Sequence, residues 1–150
     1  MKAEEKAKTY LLGLHIGLFS PEEVVNWVDE VICDNTSVDY NFIEISLSKS
    51  KGINEIIKYL ESIDGQIQYD LSLKVLLGLI YKRLLSGSEV QEVTRQLYDL
   101  SQYISSNYIE EEKIRWMNTF DDIFYIYGNE SVKIQLLDFL KEYEQYIEEF

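Results

Sequence analysis

Apolar residues recur every three to four positions along nearly the whole chain, and this spacing constrains the fold more than any other feature of the sequence. Residues spaced in this way share one face of an α-helix, whereas a half-buried strand needs strict alternation. Proline occurs once in 150 residues and no low-complexity tract is present, so the sequence indicates no domain boundary. The pattern predicts an all-α protein, and we expect one domain over residues 1–150.

The periodic segments predict about seven to eight helices, arranged as antiparallel neighbours because the connections between them are short. The first helix is expected over Ala3–Ile16, with Gly17 ending it. The fourth carries apolar residues over Ile53–Ile63 and is expected to end near Gly65. The inward-facing residues expected of the last two helices are Trp116, Met117, Phe120, Ile123, Phe124 and Tyr127 in the seventh, and Val132, Leu136, Leu140, Tyr143 and Ile147 in the eighth.

The most apolar helical segment covers residues 70–86 and is apolar on almost all sides. The exception is a stripe of Lys74, Gly78 and Lys82, spaced four residues apart. A helix of this kind is buried by its neighbours over most of its surface. We expect residues 70–86 to form the central helix, around which the others pack as a bundle or array.

The segment Ile43–Leu47 alternates apolar and polar residues, a pattern that fits a strand or a short helix. A lone strand has no partner to pair with in a helical chain. The sequence therefore favours the short helix.

The sequence Ser-Pro-Glu-Glu at residues 20–23 marks the start of the second helix. Ser20 is suited to the N-cap, Pro21 to the first helical position and Glu23 to a capping box. Glu22 and Glu23 also stabilise the positive end of the helix dipole. The acidity of this segment has a local explanation and requires no partner.

The chain is strongly acidic, with 14 Lys and Arg against 27 Asp and Glu and a net charge of −13. Such a charge repels the phosphate backbone of nucleic acids, so we expect no nucleic-acid partner. It attracts cationic proteins and speeds their association. Acidic surfaces also serve solubility alone, and both explanations stay open here.

The acidic residues are concentrated in the last third of the chain. Residues 101–150 carry 4 basic and 11 acidic side chains, a net charge of −7, against −5 for residues 1–50 and −1 for residues 51–100. On the seventh helix, Asp121 and Asp122 precede Tyr125 by about one turn. An aromatic residue among charges on a solvent face is typical of protein interfaces. Asp121, Asp122 and Tyr125 are the predicted partner-binding residues, unless Tyr125 packs under the last helix.

The sequence lacks the residues from which active sites are usually built. The single histidine, His15, lies among apolar residues and is expected to pack there, and Cys33 has no cationic neighbour to favour a thiolate. No zinc, EF-hand or phosphate-loop motif is present. We expect no catalytic, cofactor-binding or metal-binding residues and no enzyme activity.

A single cysteine cannot form an internal disulfide, which fits a reducing compartment. The first residues include Glu4 and Glu5, where a signal peptide would be basic and then apolar. The longest apolar segment, Leu71–Leu85, is too short to span a bilayer and contains Lys74. We therefore expect a cytoplasmic protein without a membrane partner.

Residues 13–47, with GLFSPEEVVNWVDEVI followed by FIEISLS, resemble the start of small uncharacterised bacterial all-helical domains. Some similar acidic helical proteins are immunity proteins, which bind and silence a co-produced toxin. The resemblance implies a bacterial helical domain and favours a role in protein interaction. It defines no site residues.

Together these features predict an acidic protein-interaction module of a bacterium, an immunity- or antitoxin-like protein that binds a cationic partner. Two alternatives stay open. One is a small enzyme or ligand-binding helical bundle, whose deep polar pocket would contain His15 and converging carboxylates. The other is a structural subunit that forms a homo-oligomer through exposed aromatic residues.

Overall fold

The computed structural model describes residues 1–63 and 69–150, and in these two ranges every regular element is a helix. The all-α prediction is confirmed. The elements are α1 (Ala3–His15), α2 (Pro21–Asp34), α3 (Tyr40–Ser46), α4 (Ile53–Glu61), α5 (Tyr69–Leu85), α6 (Val90–Tyr103), α7 (Glu111–Tyr127), α8 (Asn129–Leu140) and a 3-10 helix (Lys141–Glu149). Gly65, the predicted end of the fourth helix, lies outside the described residues, and α4 itself ends at Glu61 with Ser62 as its C-cap.

The contacts between Cα atoms divide the chain into two compact units, Met1–Gln68 and Tyr69–Phe150, which we call unit 1 and unit 2. Helices α1–α4 belong to unit 1, and α5–α8 with the 3-10 helix belong to unit 2. That residues 1–150 form one domain stays a prediction.

In unit 1, a glycine ends α1 as the sequence predicts. Gly17 has φ +70°, a conformation that costs glycine little. Its N–H donates to the carbonyl of Leu14 at 3.2 Å, and the N–H of Leu18 donates to the carbonyl of Gly13 at 2.8 Å. These two bonds form a Schellman motif, which satisfies carbonyls that the helix end leaves open.

The predicted capping box at the start of α2 is also confirmed. The N–H of Glu23 donates to Oγ of Ser20 at 3.2 Å, and the N–H of Ser20 donates to Oε2 of Glu23 at 2.7 Å. Glu23 is thus engaged by the helix start. This placement supports the local explanation for the acid of residues 20–23.

Aromatic rings connect α1, α2 and α3 in the core of unit 1. Tyr10 lies between Phe19 and Trp27, with ring centroids 4.7 and 4.5 Å away, and Trp27 meets Phe42 edge-on at 5.7 Å. Burial, together with the charges of Glu23 and then Glu30, raises the pKa of Tyr10 to about 12. The Tyr10 hydroxyl is therefore held in its neutral form well beyond the usual range.

The segment with alternating residues is the short helix α3, as the sequence favours. The carboxylate of Asp39 caps it by accepting from the N–H of Asn41 at 2.8 Å. Phe42 and Ile45 are fully buried, and α3 packs with them against α2 and α4. The amide of Asn41 also donates to the carbonyl of Ser62 at 3.0 Å, which ties the start of α3 to the end of α4.

Helix α5 confirms the predicted apolar helix over residues 70–86, but the stripe of Lys74, Gly78 and Lys82 is not simply a polar face. Gly78 is buried, because the 3-10 helix packs along α5 there. A Cβ at Gly78 would lie 2.6 Å from the carbonyl oxygen of Tyr143 and 3.0 Å from Cγ1 of Ile147. The missing side chain at Gly78 creates the room for this close backbone approach.

The eighth predicted helix does not continue as an α-helix to Ile147. It ends at Leu140, and residues Lys141–Glu149 form a 3-10 helix. In a 3-10 helix, residues three apart lie above one another, whereas in an α-helix they diverge. Tyr143 and Tyr146 are buried and half-buried at this three-residue spacing, and so both reach α5.

Helix α7 packs against α6 and α8, with Met117 and Phe120 as its fully buried residues. The prediction that Trp116 and Tyr127 face inward is wrong. Trp116 is 43% exposed and Tyr127 is 69% exposed. The apolar residues of α7 cover more of the helix surface than its neighbours do, and only Met117 and Phe120 are fully covered.

Candidate partner-binding site

Asp121 lies on the side of α7 that faces α6. The hydroxyl of Thr94, on α6, donates to Oδ1 of Asp121 at 3.1 Å. Thr94 is buried and Asp121 is half-buried, so this bond joins the two helices where water is scarce. Asp121 therefore contributes to packing within unit 2 as well as to the surface charge.

Tyr125 lies one turn after Asp121 and is also linked to α6. The amide of Gln91 donates to the hydroxyl oxygen of Tyr125 at 3.4 Å. The Tyr125 side chain is nevertheless 66% exposed, so it does not pack under the last helix. This hydrogen bond and an edge-on contact with the ring of Phe124, with centroids 5.7 Å apart, orient the Tyr125 ring, and most of the side chain stays exposed.

Asp122 is exposed, unlike its neighbour Asp121. Consecutive residues of an α-helix point about 100° apart, so Asp121 and Asp122 cannot both face α6. The structure thus brings Asp121 and Tyr125 together along the α6 side of α7, while Asp122 projects into solvent. The three predicted residues differ in accessibility although they lie within five positions.

Sequence reasoning missed the apolar residues around the turn between α7 and α8. Ile126 and Tyr127 are 72% and 69% exposed, and Ile134 on α8 is 70% exposed. With Tyr125 they are the exposed residues on the two sides of the α7–α8 turn, and we refer to these residues together as the corner patch: Tyr125, Ile126, Tyr127 and Ile134. Gly128, with φ +80°, ends α7 directly after Tyr127. Large apolar residues next to a glycine that ends a helix could have indicated exposed residues here.

Trp116, in the first half of α7, lines a shallow cavity of about 250 Å³ together with Phe120 and Phe139. The ring centroids of Trp116 and Phe120 are 5.8 Å apart, and Phe139 meets Phe120 edge-on at 5.3 Å. Gln135 and Asp138 complete the lining. The exposed part of Trp116 thus belongs to a small aromatic pocket and not to the corner patch.

A larger polar cleft of about 460 Å³ lies in unit 2 between α5, the connection from α6 to α7, and the 3-10 helix. Two lysines lie over tyrosine rings in its wall. Lys74 Nζ is 5.5 Å from the ring centroid of Tyr146, and Lys113 Nζ is 5.1 Å from that of Tyr143. These cation–π contacts hold both lysines against the 3-10 helix.

The chemistry of Lys113 does not suit a catalytic base. Burial alone would lower the pKa of Lys113, but its hydrogen bonds with Glu142 and Tyr143 outweigh burial and raise the pKa. A lysine that acts as a nucleophile or base needs a lowered pKa. Lys113 instead forms an ion pair with Glu142, and this arrangement stabilises the cleft wall.

His15 is half-buried at the end of α1, and the thiol of Cys33 is exposed near the end of α2. Within residues 1–63 and 69–150, no three His, Cys, Asp or Glu side chains are grouped so as to hold a metal ion. Over the same part of the chain, every buried side-chain nitrogen or oxygen has a hydrogen-bond partner. No helix in the described ranges is both long and apolar enough to cross a membrane.

Comparisons of the chain with protein-family models, with curated proteins and with solved structures found no significant match. The resemblance of residues 13–47 to small bacterial helical domains therefore stays a prediction. The candidate site depends on the geometry of α6, α7 and α8 alone.

Proposed function

We propose that the chain is an acidic protein-interaction module, in which the corner patch and the carboxylates beside it bind a cationic protein. The observation that carries the proposal is the exposure of Tyr125, Ile126 and Tyr127, each between 66% and 72%. Consecutive helical residues point in different directions, so the last turn of α7 projects into solvent on several sides. Large apolar and aromatic side chains that are exposed around a single helix turn are of the kinds that protein interfaces enrich.

The charge around the corner patch supports a cationic partner. Asp122 precedes Tyr125 on α7, and Glu130 lies between Tyr127 and Ile134 at the start of α8; both carboxylates are exposed. Glu130 and Ile134 are four residues apart, so they share one face of α8. Residues 69–150 carry 8 basic and 15 acidic side chains, which gives unit 2 a field that attracts cations from a distance.

The link between Gln91 and Tyr125 favours binding in a second way. A side chain that is already oriented loses less conformational freedom when a partner covers it. Tyrosine also combines a large apolar ring with a polar hydroxyl, which suits the centre of an interface. Tyr125 is therefore the residue of the patch that we expect to contribute most to affinity.

An immunity- or antitoxin-like role in a bacterial cytoplasm is the specific form of this proposal. The partner would then be a basic toxin domain, produced by the same cell and held inactive by the acidic surface. The net charge of −13, the exposed corner patch and the single, unpaired cysteine support it.

The first experiment identifies the partner by comparing variants. Basic proteins captured from a bacterial lysate by the wild-type chain are quantified against captures by Tyr125→Ala with Tyr127→Ala. Both side chains are exposed, so the variant should keep its fold. We expect a basic protein to be retained by the wild type and lost by the variant, and equal capture of all basic proteins by both would refute the proposal.

The second experiment measures association rates with that protein at several salt concentrations. The test variant is Asp122→Lys with Glu130→Lys, which avoids Asp121 because Asp121 also bonds to Thr94. The control is Glu111→Lys with Glu112→Lys, which changes the net charge equally about 15 Å away along α7. We expect the test variant to slow association more and to flatten its salt dependence further. Equal effects of the two variants would show that only the overall charge matters.

A further inference from the structure

The shallow cavity beside Trp116 in unit 2 combines three aromatic rings with one carboxylate. We call this cavity of about 250 Å³ the Trp116 pocket, and its lining residues are Trp116, Phe120, Gln135, Asp138 and Phe139. Trp116 and Phe120 lie one turn apart on α7, and Gln135 lies one turn before Asp138 and Phe139 on α8. The packing of α7 against α8 therefore brings all five side chains to the same cavity.

The three rings line the Trp116 pocket at different angles. Phe120 is 1% exposed and forms the covered base of the pocket. The plane of the Trp116 ring is tilted by 33° from that of Phe120, and the plane of the Phe139 ring by 68°. Trp116 is 43% exposed and Phe139 is half-buried, so both rings extend from this base towards solvent. A ligand in the pocket thus contacts aromatic rings in more than one orientation.

Asp138 is the one charged side chain among the five lining residues. Its carboxylate is exposed and forms no ion pair with any residue in the described ranges. Within the same ranges, no lysine or arginine lies over the three rings, whereas Lys58, Lys74 and Lys113 lie over tyrosines elsewhere. The ring surfaces and the carboxylate are therefore both accessible to a cation from solution.

The charged residues of two neighbouring cavities do not cancel the charge of Asp138. They comprise three carboxylates and three cations, once the ion-pair partner of one carboxylate is included: Glu112, Glu142, Glu144, Arg115, Lys141 and Lys113. None of these six residues lines the Trp116 pocket. Their charges balance one another, so the negative charge of Asp138 remains.

Aromatic rings and a carboxylate together favour an organic cation as the ligand. The face of an aromatic ring carries partial negative charge, and quaternary ammonium groups are bound between aromatic side chains for this reason. A trimethylammonium group has no N–H to satisfy, whereas a primary ammonium carries three donors and a guanidinium five. Side-chain acceptor oxygens in the lining belong to Gln135 and Asp138 alone. The pocket therefore suits trimethylammonium better than the end of a lysine or arginine side chain.

We propose that the Trp116 pocket binds small organic cations that carry a trimethylammonium group. The methyl groups contact the three rings, and the carboxylate of Asp138 lies beside the positive charge. This site contains no residue of the corner patch. It is independent of the proposed binding of a cationic protein.

The two tryptophans allow the binding to be measured on the full chain. Trp116 lines the pocket, whereas Trp27 is 8% exposed in the core of unit 1. Each indole N–H gives one signal in proton–nitrogen correlation NMR spectra, and Trp116→Phe assigns the two. Titration with choline chloride at a constant ionic strength of about 0.1 M should shift the Trp116 signal with a dissociation constant of about 1–10 mM. The Trp27 signal should not move.

Two further ligands test which part of choline is recognised. The neutral analogue with a tert-butyl group in place of trimethylammonium has the same shape without the charge. It should bind at least about ten-fold more weakly, because it lacks the attraction of a cation to the rings and to Asp138. Butylammonium, which resembles the end of a lysine side chain, should also bind more weakly than choline.

Two variants test the residues assigned to the site. Asp138→Asn keeps the shape of the side chain and removes its charge, so it should weaken choline binding about three-fold. Asp122→Asn removes an equally exposed carboxylate from α7 and should leave binding unchanged. Phe139→Leu keeps an apolar side chain but removes one ring, and should weaken binding by about three-fold or more.

The proposal is overturned by any of the following results. An unshifted Trp116 signal at about 50 mM choline would show that no such site exists. Equal binding of the neutral analogue would identify a purely apolar pocket, and tighter binding of butylammonium would identify a site for lysine side chains. Asp138→Asn that binds choline as tightly as the wild type, or an equal shift of Trp27, would exclude the assigned site. Capture of a basic protein by the corner patch is unaffected by these results, so the two proposals fail separately.

Discussion

Replacement of Gly78 by alanine tests the packing of the 3-10 helix against α5. In an exposed helix interior, Gly→Ala stabilises a protein by about 0.5–1 kcal/mol, because alanine restricts the unfolded chain and favours the helix. At Gly78 the added Cβ would meet the carbonyl oxygen of Tyr143 at 2.6 Å and Cγ1 of Ile147 at 3.0 Å. Real Cβ atoms essentially never approach another heavy atom as closely as 2.6 Å, so the 3-10 helix must move away.

The size of the effect follows from these two terms. Overpacking of a well-packed core costs about 1–3 kcal/mol, because side chains and backbone must shift. The first obstacle here is a backbone oxygen, which cannot rotate aside as the end of a flexible side chain can. We therefore take the upper part of that range, about 2–3 kcal/mol, and subtracting a gain of about 0.5–1 kcal/mol in helix propensity leaves a net loss of about 1–2.5 kcal/mol for Gly78→Ala. The sign is thus opposite to that of an exposed helical glycine.

Urea unfolding followed by far-UV circular dichroism measures this loss, with Lys82→Ala as the control. Lys82 lies one turn from Gly78 on α5 and is exposed, so its replacement should change stability by less than about 0.5 kcal/mol. Gly78→Ala that is as stable as the wild type, or more stable, would refute the close approach. Limited proteolysis is a second measurement, in which Gly78→Ala should be cleaved within Lys141–Glu149 sooner than the wild type.

Three further predictions concern the core, the pH dependence and the start of α2. Leu76 is fully buried, so Leu76→Ala should lower the free energy of unfolding by about 2–5 kcal/mol. Leu85 is exposed, so Leu85→Ala should lower it by less than about 0.5 kcal/mol. Equal stability of the two variants in urea would contradict the assignment of the core. Tyr10 has its folded pKa raised from 10.0 to about 12, so its contribution to stability is complete below pH 10 and is lost as the pH rises towards 12. That contribution to the free energy of unfolding is about 3 kcal/mol. Urea unfolding at pH 9 and near pH 12 should therefore show that Tyr10→Phe loses less stability at the higher pH than the wild type does. Ser20→Ala removes one half of the capping box and should lower the free energy of unfolding by about 1 kcal/mol. Ser20→Gly should lower it by only a few tenths of a kcal/mol. A thermal melt unchanged by Ser20→Ala would show that the cap contributes nothing to stability.

The features that could be predicted from the sequence are those decided by neighbouring residues. Gly17 ends α1 because only glycine adopts positive φ at little cost, and Ser20 with Glu23 starts α2 through bonds that span three residues. In both cases the deciding interactions lie within one or two turns of the chain. The choice of helix for Ile43–Leu47 was made differently, because it used the helical pattern of the rest of the chain, which offers no second strand to pair with.

The burial of α7 could not be predicted in full, because its apolar residues cover more of the helix surface than its neighbours do. Trp116 and Tyr127 lie four and seven residues from Phe120, so a helical period places all three on one side of the helix. Only the packing of α6 and α8 decides how much of that side is buried, and those contacts join residues far apart in sequence. Tyr127 was expected to face inward for this reason, although it is the last residue of α7 and is 69% exposed.

The role of Asp121 was hidden by a similar dependence on distant residues. A carboxylate on an amphipathic helix usually faces solvent, and Thr94, which donates to Asp121, lies 27 positions earlier on α6. The change to a 3-10 helix at Lys141 is also invisible in the pattern, because spacings of three residues occur in both helix types. What the sequence lacks in both cases is the position of the neighbouring helix.

The contact of α5 with the 3-10 helix joins the first and the last element of unit 2. Lys74 lies beside Tyr146 and Gly78 beside Tyr143, so the two elements run antiparallel. Closing this contact encloses a loop of about 65 residues, and loop closure of this length is entropically costly and slow compared with pairing of adjacent helices. Helices α6, α7 and α8 can pair with their chain neighbours first. We therefore expect the docking of Tyr143 over Gly78 to be a late step of folding, so that Gly78→Ala should slow the refolding of unit 2 in stopped-flow measurements if this step limits the rate.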